Sequence, residues 1–272
     1  MTTRSNPPRW PFREHDVFAL LQEEHRLPVI HTLPGVVVWP VLLFVTAFFF
    51  QFIALAIWSL FAGTADPSQV ITVVFAASSA AYLALGVMMW ARFSRYGAHR
   101  AAFSIFPKRG SELIAAFLAL AFVVTIGGRL SVQFHDFAML DPTQTLAGGA
   151  DPETLSNIDE FVFQGASMWS LVLLTVVIAP IIEEVLFRGW MLPMMMARGM
   201  PTIFAILISS LAFGLIHISQ GLLVMTTTFF LGVALGTARV VTGRVAAPVL
   251  GHVGNNAWAV FMVPYLMGMN SA

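Results

Sequence analysis

Seven long apolar stretches constrain the fold of this chain more than any other feature. They lie near residues 35–62, 69–91, 111–132, 168–197, 201–218, 221–239 and 245–267. A helix needs ~20 largely apolar residues to cross the hydrocarbon core of a bilayer. The composition agrees, because 58% of the residues are hydrophobic and only 10% are charged, which is outside the range of soluble domains. We therefore predict an all-α fold, a polytopic transmembrane helix bundle with about seven spans.

Basic residues predict how this bundle is oriented. They cluster before the first stretch, between the second and third, and after the fourth and the sixth, whereas the segment 133–167 has acidic residues and no basic ones. Because basic residues accumulate in cytoplasmic segments, the amino end is predicted to be cytoplasmic. Residues 1–33 then form a cytosolic amino-terminal tail, and residues 34–272 form a single transmembrane domain. We expect a multi-pass protein of a bacterial plasma membrane.

Charge and cysteine content narrow the classes of function. The formal net charge is zero at pH 7, so no basic surface predicts a nucleic-acid partner. The chain has no cysteine, which excludes disulfides, thiolate zinc sites and a cysteine nucleophile. The partners expected are the lipid bilayer and a peptide or membrane-protein substrate, lipidated or not, and no cofactor is predicted.

Three charges interrupt the fourth apolar stretch, in the sequence "APIIEEVLFRGW" at 179–190. Ionisable groups within spans cost roughly 2.5–3.5 kcal/mol each on insertion scales, so they are usually paired or functional. Glu184 and Arg188 are one helical turn apart and are predicted to form an ion pair. Glu183 points about 100° away from that pair and has no partner on its own helix.

Two histidines and an asparagine also lie within apolar stretches. Counted from the turn at Gly199, Glu183 and His217 lie about 24 and 27 Å into their helices, so they are predicted to meet at similar depth. Glu183 with His217 could then activate a water as a general base. His252 and Asn256 lie one turn apart and offer donors for an oxyanion. The alternative use of Glu183, His217 and His252 is a catalytic metal site.

Other membrane-protease signatures are missing from the sequence. It contains no HExxH, no GxSG and no GxGD, which argues against a zincin-like, a rhomboid-like and an aspartyl site. The segment "GVALG" at 232–236 is typical of close helix packing.

Three segments carry a resemblance to a known family. "EEVLFR" at 183–188, "FGLIH" at 213–217 and "HVGNN" at 252–256 match the motifs EExxxR, FxxxH and HxxxN in that order. They resemble the CPBP family, also called ABI, of CAAX proteases and bacteriocin-processing proteins, which are glutamate-dependent intramembrane proteases. The resemblance covers a catalytic core at about 166–267.

This resemblance implies an intramembrane endopeptidase similar to the enzymes that cleave prenylated CAAX proteins. It implies that the first glutamate and the first histidine activate water, that the second glutamate and the arginine support the site, and that the last two residues stabilise the oxyanion. The implied catalytic residues are Glu183, Glu184, Arg188, His217, His252 and Asn256.

A second hypothesis uses the same buried charges without proteolysis. The chain would then be a membrane immunity factor, a chaperone-like scaffold or a proton-coupled carrier. Carriers often show repeat symmetry with broken helices in both halves. Here the intramembrane charges lie in one half only, which counts against a carrier.

Overall fold

The computed structural model describes residues 33–61, 67–95, 99–137, 165–197 and 200–262, and these ranges contain helices and no strand. The predicted all-α fold is therefore confirmed. Of the predicted cytosolic tail, only residue 33 lies within these ranges. The single transmembrane domain stays a prediction.

Eight helices follow one another along the described ranges. The first four are α1 (Leu33–Phe61), α2 (Pro67–Ser94), α3 (His99–Ala102) and α4, which comprises Gly110–Phe122, a π-helical turn Val123–Gly127 and Gly128–Phe137. Helix α5 comprises Gly165–Val172, a π-helical turn Leu173–Ile178, then Ala179–Glu184, a second π-helical turn Val185–Met191, and Leu192–Ala197. The last three are α6 (Thr202–Leu215), α7 (Leu222–Thr242) and α8 (Ala246–Ala257). A 3₁₀ turn, Ile218–Gln220, follows α6, and α8 continues as a π-helical turn, Trp258–Met262.

Five of these helices are long and apolar enough to cross a membrane. The five candidate spans are Val38–Phe61, Ser68–Ser94, Gly110–Phe134, Ala166–Met196 and Leu222–Thr242. The chain is thus an integral, multi-pass membrane protein. The predicted stretch 201–218 folds as the shorter helix α6, with 14 residues. The predicted stretch 245–267 contains α8 and ends outside the described residues. The count of seven spans and the cytoplasmic amino end therefore stay predictions.

Helix α5 lies at the centre of the bundle. In its most apolar window 56% of the residues are buried, compared with 6% in the window of α1. Helix α2 packs between α1 and α5, and α8 packs against α4, α5 and α7. Large side chains of α1 such as Phe48, Leu60 and Phe61 are exposed on the outside, where lipid is the expected neighbour. The charged residues of α5 are therefore enclosed by protein rather than by lipid.

The glycines of the 232–236 segment bring α7 close to α6. A Cβ added at Gly232 would lie 2.9 Å from the Cα of Ser210, and one added at Gly236 would lie 3.2 Å from the Cγ2 of Ile206. The predicted role of this segment in helix packing is confirmed. The close approach also leaves the Gly232 carbonyl accessible to a donor from α5.

The start of α8 is fixed by the first turn of α4 and by the segment that precedes it. Arg244 forms an ion pair with Glu112 at 3.2 Å and donates to the Phe106 carbonyl at 2.9 Å. The backbone N–H of Val245 donates to the Ser104 hydroxyl at 3.1 Å. These contacts hold the helix that carries His252.

Candidate active site

The charges of α5 lie where its helical geometry changes. The α-helical segment Ala179–Glu184 is flanked by two π-helical turns, and such turns frequently occur at functional sites. Glu183, Glu184 and Arg188 are all buried, with exposed fractions of 4%, 0% and 0%. Because buried charges are costly unless they are paired, each must find a partner within the bundle.

Glu184 and Arg188 form the predicted ion pair, with 2.8 Å between Arg188 Nη1 and Glu184 Oε1. Arg188 also donates through Nη2 to the Gly232 carbonyl at 3.1 Å, and its guanidinium lies 4.5 Å from the ring centre of Phe213. The same Oε1 of Glu184 lies 2.9 Å from Nδ1 of His252. Glu184 therefore balances the charge of Arg188 and also orients His252.

Glu183 has different neighbours from Glu184. The hydroxyl of Tyr82 donates to its Oε1 at 2.8 Å, and its Oε2 lies 3.9 Å from Nε2 of His252. The imidazole of His252 thus faces one glutamate with each ring nitrogen. When Nδ1 carries the proton and donates to Glu184, Nε2 is the acceptor nitrogen on the side of Glu183.

His217 lies just beyond the end of α6, and its contacts are with Phe213. Its Nδ1 is 2.9 Å from the Phe213 carbonyl oxygen, and its ring packs edge-on against the Phe213 ring at 5.1 Å. The ring of His252 packs on the same phenylalanine at 5.4 Å. In the part of the chain that the structure describes, no hydrogen bond or ion pair joins His217 to Glu183. Counting along straight helices gives depth but not the direction of a side chain, and the histidine beside Glu183 is His252.

Asn256 bonds to the backbone of α5. Its Nδ2 donates to the Thr175 carbonyl at 2.7 Å. Thr175 lies in the π-helical turn Leu173–Ile178, where the N–H of Ala179 donates to the carbonyl of Leu174, five residues back. The next donor in the same register would be residue 180, which is a proline and has no N–H. Asn256 thus supplies the donor that Pro180 cannot, and it ties α8 to α5.

The residues of the metal alternative are not gathered at one point. Within the described ranges no group of three or more His, Asp or Glu side chains is placed to hold a metal ion. Glu183 and His252 are near each other, whereas the contacts of His217 are with Phe213.

Sequence reasoning missed the groups on other helices to which the predicted site residues bond. These are the hydroxyl of Tyr82, the carbonyl of Gly232 and the carbonyl of Thr175. Only Tyr82 could have been singled out from the sequence, because a tyrosine inside an apolar helix needs a hydrogen-bond partner for its hydroxyl. The backbone acceptors could not, because every residue has a carbonyl.

Fold and site together define a membrane-embedded helical bundle with a buried cluster of two glutamates, an arginine and a histidine. Residues 165–258 match a family model described as "Type II CAAX prenyl endopeptidase Rce1-like". No curated protein and no solved structure gives a significant match. The matched region contains all three motifs and confirms the resemblance to the CPBP family. The family model therefore supports similarity of residues 165–258 to CAAX-protease-like membrane endopeptidases.

Proposed function

We propose that this protein hydrolyses a peptide bond within or near the bilayer and that Glu183 acts as general base toward a water molecule. The observation that carries the proposal is that the two glutamates have different partners. Arg188 is committed to Glu184 at 2.8 Å, whereas Glu183 has no ion pair with a lysine or arginine in the described residues. A buried carboxylate without a fixed cation is available to take up a proton.

The charge balance of the cluster supports proton transfer. Two carboxylates and one guanidinium leave one negative charge, and unbalanced charge is costly in a buried site. Uptake of one proton by Glu183 or His252 makes the cluster neutral. The 3.9 Å between Glu183 Oε2 and His252 Nε2 leaves room for a water that hydrogen-bonds to both atoms.

These positions support the following reaction. As Glu183 takes a proton from water, the water oxygen bonds to the carbonyl carbon of the peptide, and negative charge develops on the carbonyl oxygen. When both ring nitrogens of His252 carry a proton, Nδ1 bonds to Glu184 and Nε2 is a proposed donor to this oxyanion. The second amide N–H of Asn256 is the other proposed donor. The C–N bond then breaks, and the proton held by Glu183 passes to the leaving amine. Glu184 and Arg188 keep His252 in place.

His217 keeps a proposed role in orienting water or substrate. The Phe213 carbonyl holds its Nδ1 at 2.9 Å, which favours the tautomer with a proton on Nδ1. The Nε2 atom then remains as an acceptor for a water. The shared packing on Phe213 links this histidine to His252.

The family description makes a prenylated peptide the first substrate to test. The purified protein in lipid nanodiscs is mixed with an internally quenched peptide that has a prenylated cysteine followed by three residues. We expect cleavage by the wild type and a loss of at least about 10²-fold in Glu183→Gln, as for removal of a general base. Glu23→Gln, in the predicted tail, is the matched control, and we expect it to cleave normally. Zinc dependence is tested by chelation and re-addition of metal.

Two results would count against this proposal. One is retained cleavage in a folded Glu183→Gln variant, which would remove Glu183 from the chemistry. The other is a cellular phenotype that survives Glu183→Gln together with no cleavage by the wild type, which would favour the non-proteolytic hypothesis. The unprenylated form of the same peptide tests whether the lipid is required.

A further inference from the structure

Tyr82 lies outside the region that matches the family model, yet it contacts the proposed general base. The matched region begins at residue 165, whereas Tyr82 is on α2. Its hydroxyl donates to Glu183 Oε1 at 2.8 Å. Within the described residues this is the one direct hydrogen bond to the Glu183 carboxylate, since His252 lies 3.9 Å from its other oxygen.

This contact differs from those of the other hydroxyl groups on α2. Thr72, Ser78 and Ser79 each donate to the carbonyl four residues earlier in the same helix, and the Ser78 hydroxyl also accepts from Gln51 Nε2 on α1 at 2.7 Å. The bonds of Thr72 and Ser79 are local to α2, whereas Ser78 connects α2 to α1 and not to α5. Tyr82 reaches a side chain of another helix, 101 positions away in sequence.

The backbone of α2 is shaped so that it can make this contact. One turn after Tyr82 a Cβ added at Gly86 would lie 2.6 Å from Ile182 Cδ1, so the glycine allows α2 to approach α5 beside Glu183. Further along, Phe93 stacks on Trp190 with 4.4 Å between ring centres. Both contacts lie on the buried face of α2 that includes Leu85 and Met89. From the contact of Gly86 with Ile182 to that of Phe93 with Trp190, the residue numbers rise along both helices, so α2 and α5 run in the same direction.

We propose that Tyr82 is a positioning residue for catalysis, which holds Glu183 Oε1 so that Oε2 faces His252 and the reacting water. This inference rests on the proposed function, because it concerns the glutamate assigned there as general base. Without the hydroxyl, the carboxylate can rotate away from His252, since its own helix provides no donor. Binding of the substrate does not involve this bond, so the chemical step is the step that should slow.

The first test is the kinetics of Tyr82→Phe, which removes only the hydroxyl. In nanodiscs with the quenched prenylated peptide, we expect kcat to fall about tenfold, as for a hydrogen bond to a charged group, with KM unchanged. Ser79→Ala is the matched control: it removes a hydroxyl from the same helix that bonds only to the Phe75 carbonyl. A loss of kcat in Tyr82→Phe no larger than in Ser79→Ala would overturn the inference.

The second test needs no substrate and separates this inference from the proposed function. Infrared difference spectra identify the Glu183 carboxyl band as the band that is lost in Glu183→Gln. Because the Tyr82 hydroxyl bonds to this carboxyl, Tyr82→Phe should shift the band and Ser79→Ala should not. An unshifted band in Tyr82→Phe would refute the contact. Cleavage by Glu183→Gln would instead refute the proposed function while the band still reports on Tyr82.

Discussion

Removal of Arg188 should destabilise the bundle more than removal of the whole ion pair. Arg188 is fully buried, bonds to Glu184 at 2.8 Å and to the Gly232 carbonyl at 3.1 Å. In Arg188→Met, the Glu184 carboxylate remains buried with His252 as its one donor within the described residues. The variant thus keeps a buried charge that has lost its counter-charge.

The size of the effect follows from that uncompensated charge. Loss of one partner of a buried ion pair typically costs about 3–5 kcal/mol, whereas replacement of both partners by neutral groups costs far less. We expect about 3–5 kcal/mol for Arg188→Met and a similar cost for Glu184→Gln. The double variant should lose about 1–3 kcal/mol in total, because the new amide oxygen still accepts a hydrogen bond from His252 and no isolated charge remains.

The measurement is a double-mutant cycle on equilibrium unfolding in mixed detergent micelles. Helicity, followed by circular dichroism against increasing fraction of dodecyl sulfate, gives the free energy of unfolding of the wild type and the three variants. We expect a coupling energy of about 3 kcal/mol or more between the two positions. If the two single costs add to within about 0.5 kcal/mol, the residues do not interact, and the reasoning from buried charge is wrong.

Two further predictions concern the packing around the site. Gly232→Ala should lower stability more than Gly236→Ala, because the added methyl meets the backbone of α6 at 2.9 Å rather than a flexible side chain at 3.2 Å; equal unfolding midpoints in mixed micelles would contradict this. Asn256→Ala should cost about 1 kcal/mol of stability through the loss of the donor to Thr175. Pro180→Ala in that background should recover part of the loss, since it restores a backbone N–H, and an additive loss would refute this account of the Asn256 bond.

Contacts between residues of the same helix could be predicted from the sequence. The ion pair of Glu184 with Arg188 follows from a spacing of four residues, and the geometry of a helix alone brings such side chains together. The seven apolar stretches likewise coincide with helices, because hydrophobicity over ~20 residues is a local property. The stretch 201–218 folds as a helix of 14 residues, and its composition did not reveal this shorter length.

Contacts between helices could not be predicted in the same way. Depth counting predicted that His217 lies near Glu183, whereas the histidine that the structure places 3.9 Å from the Glu183 carboxylate is His252. Depth fixes height along the bundle, whereas the partner of a side chain also depends on the rotation and the end of each helix. Helix α6 ends at Leu215, so His217 lies past its last turn, where the direction of the ring follows from its bond to the Phe213 carbonyl.

The rotation of α2 shows why the amino-terminal helices matter to a site whose motifs lie elsewhere. Apart from Tyr82, nothing in the composition of α2 marks it as functional, yet the missing Cβ at Gly86 and the stacking of Phe93 on Trp190 set which of its faces meets α5. That face presents the Tyr82 hydroxyl to Glu183. A carboxylate needs a fixed orientation to act as a base. In the proposed mechanism the three motifs supply the reacting groups, and the packing of α2, which contains no motif, orients the carboxylate of Glu183.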